Sequence, residues 1–70
     1  MKVGDLLVYY DINGKEISGI VVKGSHYSET TESQAVRALW SDDGLITDEP
    51  IDIILSDDLE YSYIKLVSEA

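Results

Sequence analysis

The chain has 70 residues, no cysteine and one histidine, and its 14 acidic against 5 basic side chains give a net charge of −9. A chain of this length forms one small domain, and without cysteine it has neither disulfides nor thiolate metal ligands. Because affinity for nucleic acid depends on lysine and arginine neutralising phosphates, this charge balance argues against direct nucleic-acid binding.

The start of the chain and its hydropathy indicate whether the protein is secreted or spans a membrane. Residues 1–5 lack the charged and apolar segments of a secretory signal, and no apolar run approaches the roughly 20 residues that span a bilayer. We therefore expect a soluble protein that is not secreted by a signal peptide and that has no membrane partner.

Short runs rich in β-branched and aromatic residues alternate with turn clusters along the chain, a pattern typical of a small all-β domain. The first run, residues 5–10, predicts a strand. It ends near Asn13-Gly14, a pair that adopts the positive φ angles of a tight turn. We therefore expect a hairpin between the first two strands.

The second run, residues 16–23, predicts a strand that carries the core. Its apolar segment Ile-Val-Val at 20–22 follows Gly19, whose missing side chain favours a bulge or a sharp bend. The polar residues 24–33 then predict an exposed loop.

The third run, residues 34–40, alternates clearly. Val36, Ala38 and Trp40 share one face, which we expect to be buried. Residues 41–44, Ser-Asp-Asp-Gly, follow as a predicted turn because aspartate bonds to nearby backbone and glycine takes left-handed geometry.

The last third of the chain predicts two further strands with a helical turn between them. The fourth strand spans about 45–55 and is interrupted at 48–50 by proline, which indicates an edge or bulge. Residues 56–60 resemble a single helical turn with a serine cap. Residues 61–67 complete the sheet, and 68–70 are expected to fray.

This order of elements predicts an all-β fold, namely a five-stranded SH3-like small barrel with one helical turn before the last strand. It forms a single domain over residues 1–70. The alternative is an OB-fold, but that barrel would need longer strands and a helix between the third and fourth strands. The sequence contains no such helix.

Four segments resemble a known group of proteins. They are Lys-Val-Gly-Asp-Leu at 2–6, Gly-Ile-Val-Val at 19–22, Val-Arg-Ala-Leu-Trp-Ser-Asp-Asp-Gly at 36–44 and Asp-Asp-Leu-Glu at 57–60. They are similar to segments of small SH3-like barrel proteins of tailed bacteriophages. The resemblance implies a viral accessory or structural protein, located in the cytoplasm of an infected bacterial host or in the virus particle.

Two sets of residues are candidates for contact with a partner. The first is an aromatic patch, expected because the first and last strands of such a barrel lie side by side; it consists of Tyr9, Tyr61 and Tyr63. Trp40 shares its strand face with apolar residues and is assigned to the core.

The second set is acidic. Eight acids and no base lie between Ala38 and Ile64. They form either a solvated face or a surface for a basic partner. The proposed acidic face consists of Asp42, Asp43, Asp57, Asp58 and Glu60.

The sequence contains no pattern typical of catalysis or of cofactor binding. The adjacent carboxylates lack the alternate spacing of a calcium loop, and His26 lies in a polar segment with no supporting motif. We therefore expect no enzyme activity, no cofactor and no metal. The predicted function is a protein-interaction or assembly module that binds a protein partner or itself. The alternative is an acidic effector that binds a basic nucleic-acid-binding protein, and such binding would weaken with salt.

Overall fold

The computed structural model describes residues 1–55 and 63–70, which form a five-stranded antiparallel sheet with one short helix. The elements are β1 (Leu6–Tyr10), β2 (Glu16–Ser28), β3 (Ser33–Trp40), β4 (Ile46–Pro50), α1 (Ile51–Leu55) and β5 (Ile64–Ser68). The strand order is β4-β3-β2-β1-β5. The predicted all-β class with five strands is thus confirmed. Within the described residues, β4 and β5 are the edges of the sheet, which does not close on itself.

The hairpin predicted at Asn13-Gly14 is confirmed. Gly14 has a φ of 80°, and β1 pairs antiparallel with β2. The Asp11 carboxylate stabilises this turn because its Oδ1 accepts hydrogen bonds from the backbone N–H groups of Asn13 (2.8 Å) and Lys15 (2.9 Å).

The polar loop predicted over residues 24–33 is mostly wrong. β2 continues through residues 24–28, where His26 pairs with Ala35 and Ser28 with Ser33 of β3, and only a short turn remains before β3. The register between the two strands shifts twice, between Val21 and Lys23 and again before His26. These irregularities let one long strand bend, so a polar segment stays in the sheet.

The core lies on one face of the sheet and is closed by the helix. The alternation predicted for β3 is confirmed, since Val36, Ala38 and Trp40 are buried. The core predicted at residues 20–22 needs correction: Val21 is fully buried, but Ile20 and Val22 are 39% and 40% exposed on the other face. The buried core cluster consists of Leu7, Val21, Val36, Ala38, Trp40, Ile54 and Ile64.

The prediction of one interrupted strand over residues 45–55 is wrong in two respects. Residues 48–50 belong to β4 without a break, and the chain then turns into α1. Pro50 stands immediately before the helix, where its fixed φ and missing N–H are tolerated. Ile54 is buried and Ile51 is half-buried, so the helix packs its apolar side on the core. The helical turn predicted at residues 56–60 lies outside the described residues.

A buried carboxylate joins the two ends of the chain. Asp5 is 2% exposed, and its two oxygens accept hydrogen bonds from the backbone N–H groups of Ala70 (2.8 Å) and Lys2 (2.9 Å). These bonds, first that from Ala70 and then that from Lys2, lower the pKa of Asp5. The prediction that residues 68–70 fray is therefore wrong, because Ser68 is in β5 and Ala70 is held by Asp5.

Candidate functional site

Tyr9 is the centre of the aromatic contacts. Its ring lies edge-on to Tyr63, with centroids 5.5 Å apart, and packs against Trp40 at 6.1 Å. The contact with Tyr63 arises because β1 pairs with β5. The third member of the predicted aromatic patch, Tyr61, lies outside the described residues.

A cleft of about 190 Å³ opens beside Tyr9 and Trp40. Strands β1 to β4 and the β3–β4 turn contribute to its wall. We call it the aromatic–acidic cleft, and it is lined by Tyr9, Ile17, Trp40, Asp42, Asp43, Leu45, Thr47 and Glu49. Its lining thus combines two rings and two aliphatic side chains with three carboxylates.

Three side chains in this cleft form a chain of hydrogen bonds. The indole Nε1–H of Trp40 donates to Thr47 Oγ1 at 2.7 Å, and the Thr47 hydroxyl donates in turn to Glu49 Oε1 at 2.7 Å. Thr47 and Glu49 stand two positions apart on β4, so their side chains share one face of the strand. The buried indole therefore fixes the position of the Glu49 carboxylate through the Thr47 hydroxyl.

The β3–β4 turn places two further carboxylates in the cleft wall. Asp43 Oδ1 accepts a hydrogen bond from the backbone N–H of Leu45 (2.9 Å), and Gly44 has a φ of 71°. This geometry confirms the turn predicted at residues 41–44. Asp42 and Asp43, both members of the predicted acidic face, thus lie beside the aromatic rings rather than on a separate surface.

Within the part of the chain that the structure describes, no cation forms an ion pair with these acids. Among residues 1–55 and 63–70, the ion pairs shorter than 4.0 Å both involve Asp48, which does not line the cleft. The exposed Asp42 and Asp43 and the half-buried Glu49 therefore give the wall of the cleft a net negative charge. Low-dielectric walls, here the rings and aliphatic side chains, strengthen the field of such a cluster.

Gly19 makes the position of Trp40 possible. A Cβ atom at residue 19 would lie 2.6 Å from Trp40 Cε3 and 2.7 Å from Cζ3, far inside van der Waals contact. Gly19 and Trp40 are direct partners in the β2–β3 ladder. The predicted role of Gly19 as a bulge needs correction, since the register shifts between β2 and β3 occur beyond Val21 and the glycine instead leaves room for the indole close to the backbone.

A second polar cluster lies on the outer side of the sheet around Asp48. Its carboxylate accepts hydrogen bonds from Arg37 Nε (2.9 Å) and from the Ser28 hydroxyl (2.8 Å), and His26 Nε2 is 3.7 Å away. The bond from Arg37, followed by that from Ser28, lowers the pKa of Asp48 to about 2. Arg37 and Asp48 stand opposite each other in the β3–β4 ladder, so this cluster stabilises the pairing of those strands. His26, expected in an exposed loop, is therefore a strand residue beside Asp48.

The structure brings together only part of what the sequence predicts. Tyr9, Asp42 and Asp43 meet at the cleft, while Tyr63 contacts Tyr9 without lining it. The remaining predicted residues Tyr61, Asp57, Asp58 and Glu60 lie outside the described residues. The sequence analysis did not assign Glu49 and Thr47 to a site. They are two positions apart on β4 and so share one face, but only the register of β4 shows that this face lies beside Trp40.

The geometry of the carboxylates does not match a metal site. Within the described part of the chain, no three His, Cys, Asp or Glu side chains converge closely enough to hold an ion. No helix among these residues has the length and hydropathy that a bilayer crossing requires. Comparison of the chain with protein-family models, curated proteins and solved structures found no match.

Proposed function

We propose that this chain is a non-enzymatic protein-interaction module and that the aromatic–acidic cleft is its binding site. The observation that carries this proposal is the cleft itself, a concave surface in which Tyr9 and Trp40 stand beside carboxylates that form no ion pair with a cation of the described residues. Concave surfaces that combine apolar walls with a few polar groups are the usual form of a binding site. Tyrosine and tryptophan are also the residues that most often dominate binding energy at protein interfaces.

The fold we propose for this module is an SH3-like small barrel. Its support is the connectivity of the strands, because β5 pairs with β1 after a short helix that follows β4. The two register shifts in β2 provide the bend by which such a sheet curls around its core. In this arrangement the cleft lies at one end of the sheet, next to the β3–β4 turn.

The chemistry of the cleft favours binding over catalysis. The residues that line it include no histidine, cysteine or serine, and the one hydroxyl donor on β4, Thr47, is already bonded to Glu49. Among the described residues, Asp5, Arg37 and Asp48 have shifted pKa values, and these three lie outside the cleft. Catalytic sites generally combine a nucleophile or base with a shifted pKa in one pocket.

A peptide-display selection tests this proposal and does not require an identified partner. Random twelve-residue peptides are selected on the wild-type chain, and each enriched peptide is measured against Tyr9→Leu and against Tyr27→Leu. Tyr27 is exposed on β2 and does not line the cleft, so its replacement is the matched control. We expect enriched peptides to lose binding with Tyr9→Leu only. Peptides that bind both variants as tightly as wild type would refute the cleft as the site.

Self-assembly is the second form of this function, and a specific surface favours it. Four large apolar side chains stand in register across β1, β2, β3 and β4 on the face opposite the core, each 36% to 57% exposed. We call this row the apolar stripe; it consists of Leu6, Ile20, Leu39 and Ile46. Four partly exposed side chains offer less than the roughly 800 Å² per partner of a standard interface, so we expect association between copies to be weak.

The acidic-effector alternative shares Asp42 and Asp43 with the cleft, and it also uses Asp57, Asp58 and Glu60, which lie outside the described residues. In that case the partner is a basic nucleic-acid-binding protein, and affinity comes from charge alone. Binding should then fall steeply with salt and should be insensitive to Tyr9→Leu. A viral origin, with a role in the infected bacterium or in the virus particle, stays a prediction from the sequence resemblance.

A further inference from the structure

We propose that the aromatic–acidic cleft takes a lysine or arginine side chain of the partner protein. This inference rests on the proposed function and adds the chemical class of the group that is bound. The cation would lie between the carboxylates, and its aliphatic stem would lie along the rings.

The first step of the argument is charge. Asp42, Asp43 and Glu49 line one cleft, and no described cation lies within 4.0 Å of any of them. Three like charges around one concavity repel each other, and a ligand cation relieves that repulsion. By contrast, the buried Asp5 and the half-buried Asp48 are already satisfied by backbone N–H groups or by Arg37.

The second step is the apolar wall. Tyr9 and Trp40 pack at an interplanar angle of 66°, and Ile17 and Leu45 complete the lining. A cation gains energy from an aromatic face, and a lysine or arginine stem covers apolar surface while its charged end stays near carboxylates. A hydrated metal ion would use none of this wall, and the carboxylates do not converge as metal ligands do.

The third step is the fixed position of Glu49. Its Oε1 is held by the Thr47 hydroxyl, which itself accepts from the indole of Trp40. A carboxylate whose position is already fixed loses little conformational freedom when it pairs with a cation. Glu49 is therefore the specificity-determining residue of the cleft, and Trp40 positions it through the Thr47 hydroxyl.

The test uses neutral-ended tripeptides that differ in one group. Acetyl-Gly-Arg-Gly-amide and acetyl-Gly-Lys-Gly-amide are titrated into ¹⁵N-labelled protein, with citrulline and norleucine in place of the central residue as uncharged controls. Trp40 is the sole tryptophan, so its indole N–H gives a single signal inside the cleft. We expect the cationic peptides to shift this signal and to bind about 10-fold more tightly than their neutral controls.

Two matched variants locate the effect. Glu49→Gln removes one charge but keeps an acceptor for Thr47, whereas Glu29→Gln removes one charge from the exposed β2–β3 turn. We expect Glu49→Gln to reduce the preference for arginine over citrulline to less than about 3-fold, while Glu29→Gln leaves it unchanged. An equal loss in both variants would show that overall charge decides, and would overturn the inference.

The outcome also separates this inference from the proposed function. If display peptides bind through Tyr9 but tolerate replacement of every lysine and arginine, the cleft is an interaction site and the cationic ligand is wrong. If the cationic tripeptides bind and their shifts avoid Trp40, the inference is wrong, and the peptide-display comparison still decides whether the cleft is an interaction site. Equal affinity for arginine and citrulline at the cleft contradicts the inference alone.

Discussion

Replacement of Gly19 with alanine is expected to destabilise the chain by disturbing Trp40. The new Cβ would lie 2.6 Å from the ring carbon Cε3, whereas carbon atoms in contact are about 3.5 Å apart, so the ring would have to move by about 1 Å. That movement strains the 2.7 Å bond from the indole to Thr47. Overpacking of this kind costs about 1–3 kcal/mol, and the lower backbone entropy of alanine offsets about 0.5–1 kcal/mol. We expect a net loss of about 1–2 kcal/mol.

The assay is urea unfolding followed by the fluorescence of Trp40, the sole tryptophan. The matched control is Gly24→Ala on the same strand, where the added Cβ would meet only Met1 and Lys2 backbone atoms, at 3.3 Å and beyond. We expect the control to change the free energy of unfolding by less than about 1 kcal/mol. A Gly19→Ala protein with wild-type stability and an unchanged emission maximum would refute the packing of Trp40 on β2.

Three further predictions concern the rest of the chain. The pKa of Asp48 is about 2 in the folded chain, against an ordinary value of 3.8. Its contribution to the free energy of unfolding is therefore fully present above about pH 4 and is lost as pH falls through 2. Asp48→Asn should therefore cost about 1 kcal/mol in urea unfolding at pH 7, and the difference from wild type should shrink as pH falls from 4 to 2 and vanish below about pH 2. Asp5→Asn should accelerate hydrogen exchange of the Lys2 and Ala70 amides, because an amide side chain offers one acceptor oxygen where the carboxylate offers two; unchanged exchange at both would contradict the proposed link between the chain ends. In light scattering at millimolar concentration, the Leu39→Thr chain should show a lower average mass than the wild-type chain. An equal mass above that of the monomer would show that the apolar stripe is not the contact between copies.

Local patterns predicted those elements in which neighbouring residues determine the structure. The alternation of Val36, Ala38 and Trp40 predicted β3 because one face of that strand is buried. Asn13-Gly14 predicted the hairpin because a positive φ is required at the glycine. Both predictions depend on neighbouring residues, namely on side-chain alternation and on the φ angle of one glycine, and not on which strands pair.

The helix shows where such patterns fail. Ile51, Ile53 and Leu55 alternate with their neighbours and so resemble a strand, yet the chain forms α1 there. The buried Ile54 and the half-buried Ile51 are three positions apart, which is the spacing of a helix. Contact with the core therefore selects the helical spacing over the two-residue period of a strand. Five residues are too few for periodicity to distinguish a helix from a strand.

The remaining errors come from contacts between distant parts of the chain. Residues 24–28 are polar, but pairing with β3 and the bond from Ser28 to Asp48 keep them in a strand. Asp5 reaches Ala70 across 65 positions of sequence, which no local pattern encodes. Likewise, Glu49 joins the cleft only because the pairing of β4 with β3 places the face that it shares with Thr47 beside the indole.

A double-mutant cycle between the cleft and its ligand is the most direct test that the cleft binds a cationic side chain. The affinities of wild type and Glu49→Gln are measured for acetyl-Gly-Arg-Gly-amide and for its citrulline analogue, and the coupling energy is calculated from the four values. We expect a favourable coupling of about 0.5–1 kcal/mol that decreases as salt is raised. A coupling of zero, with the arginine peptide bound equally by both proteins, would contradict direct pairing between Glu49 and the guanidinium.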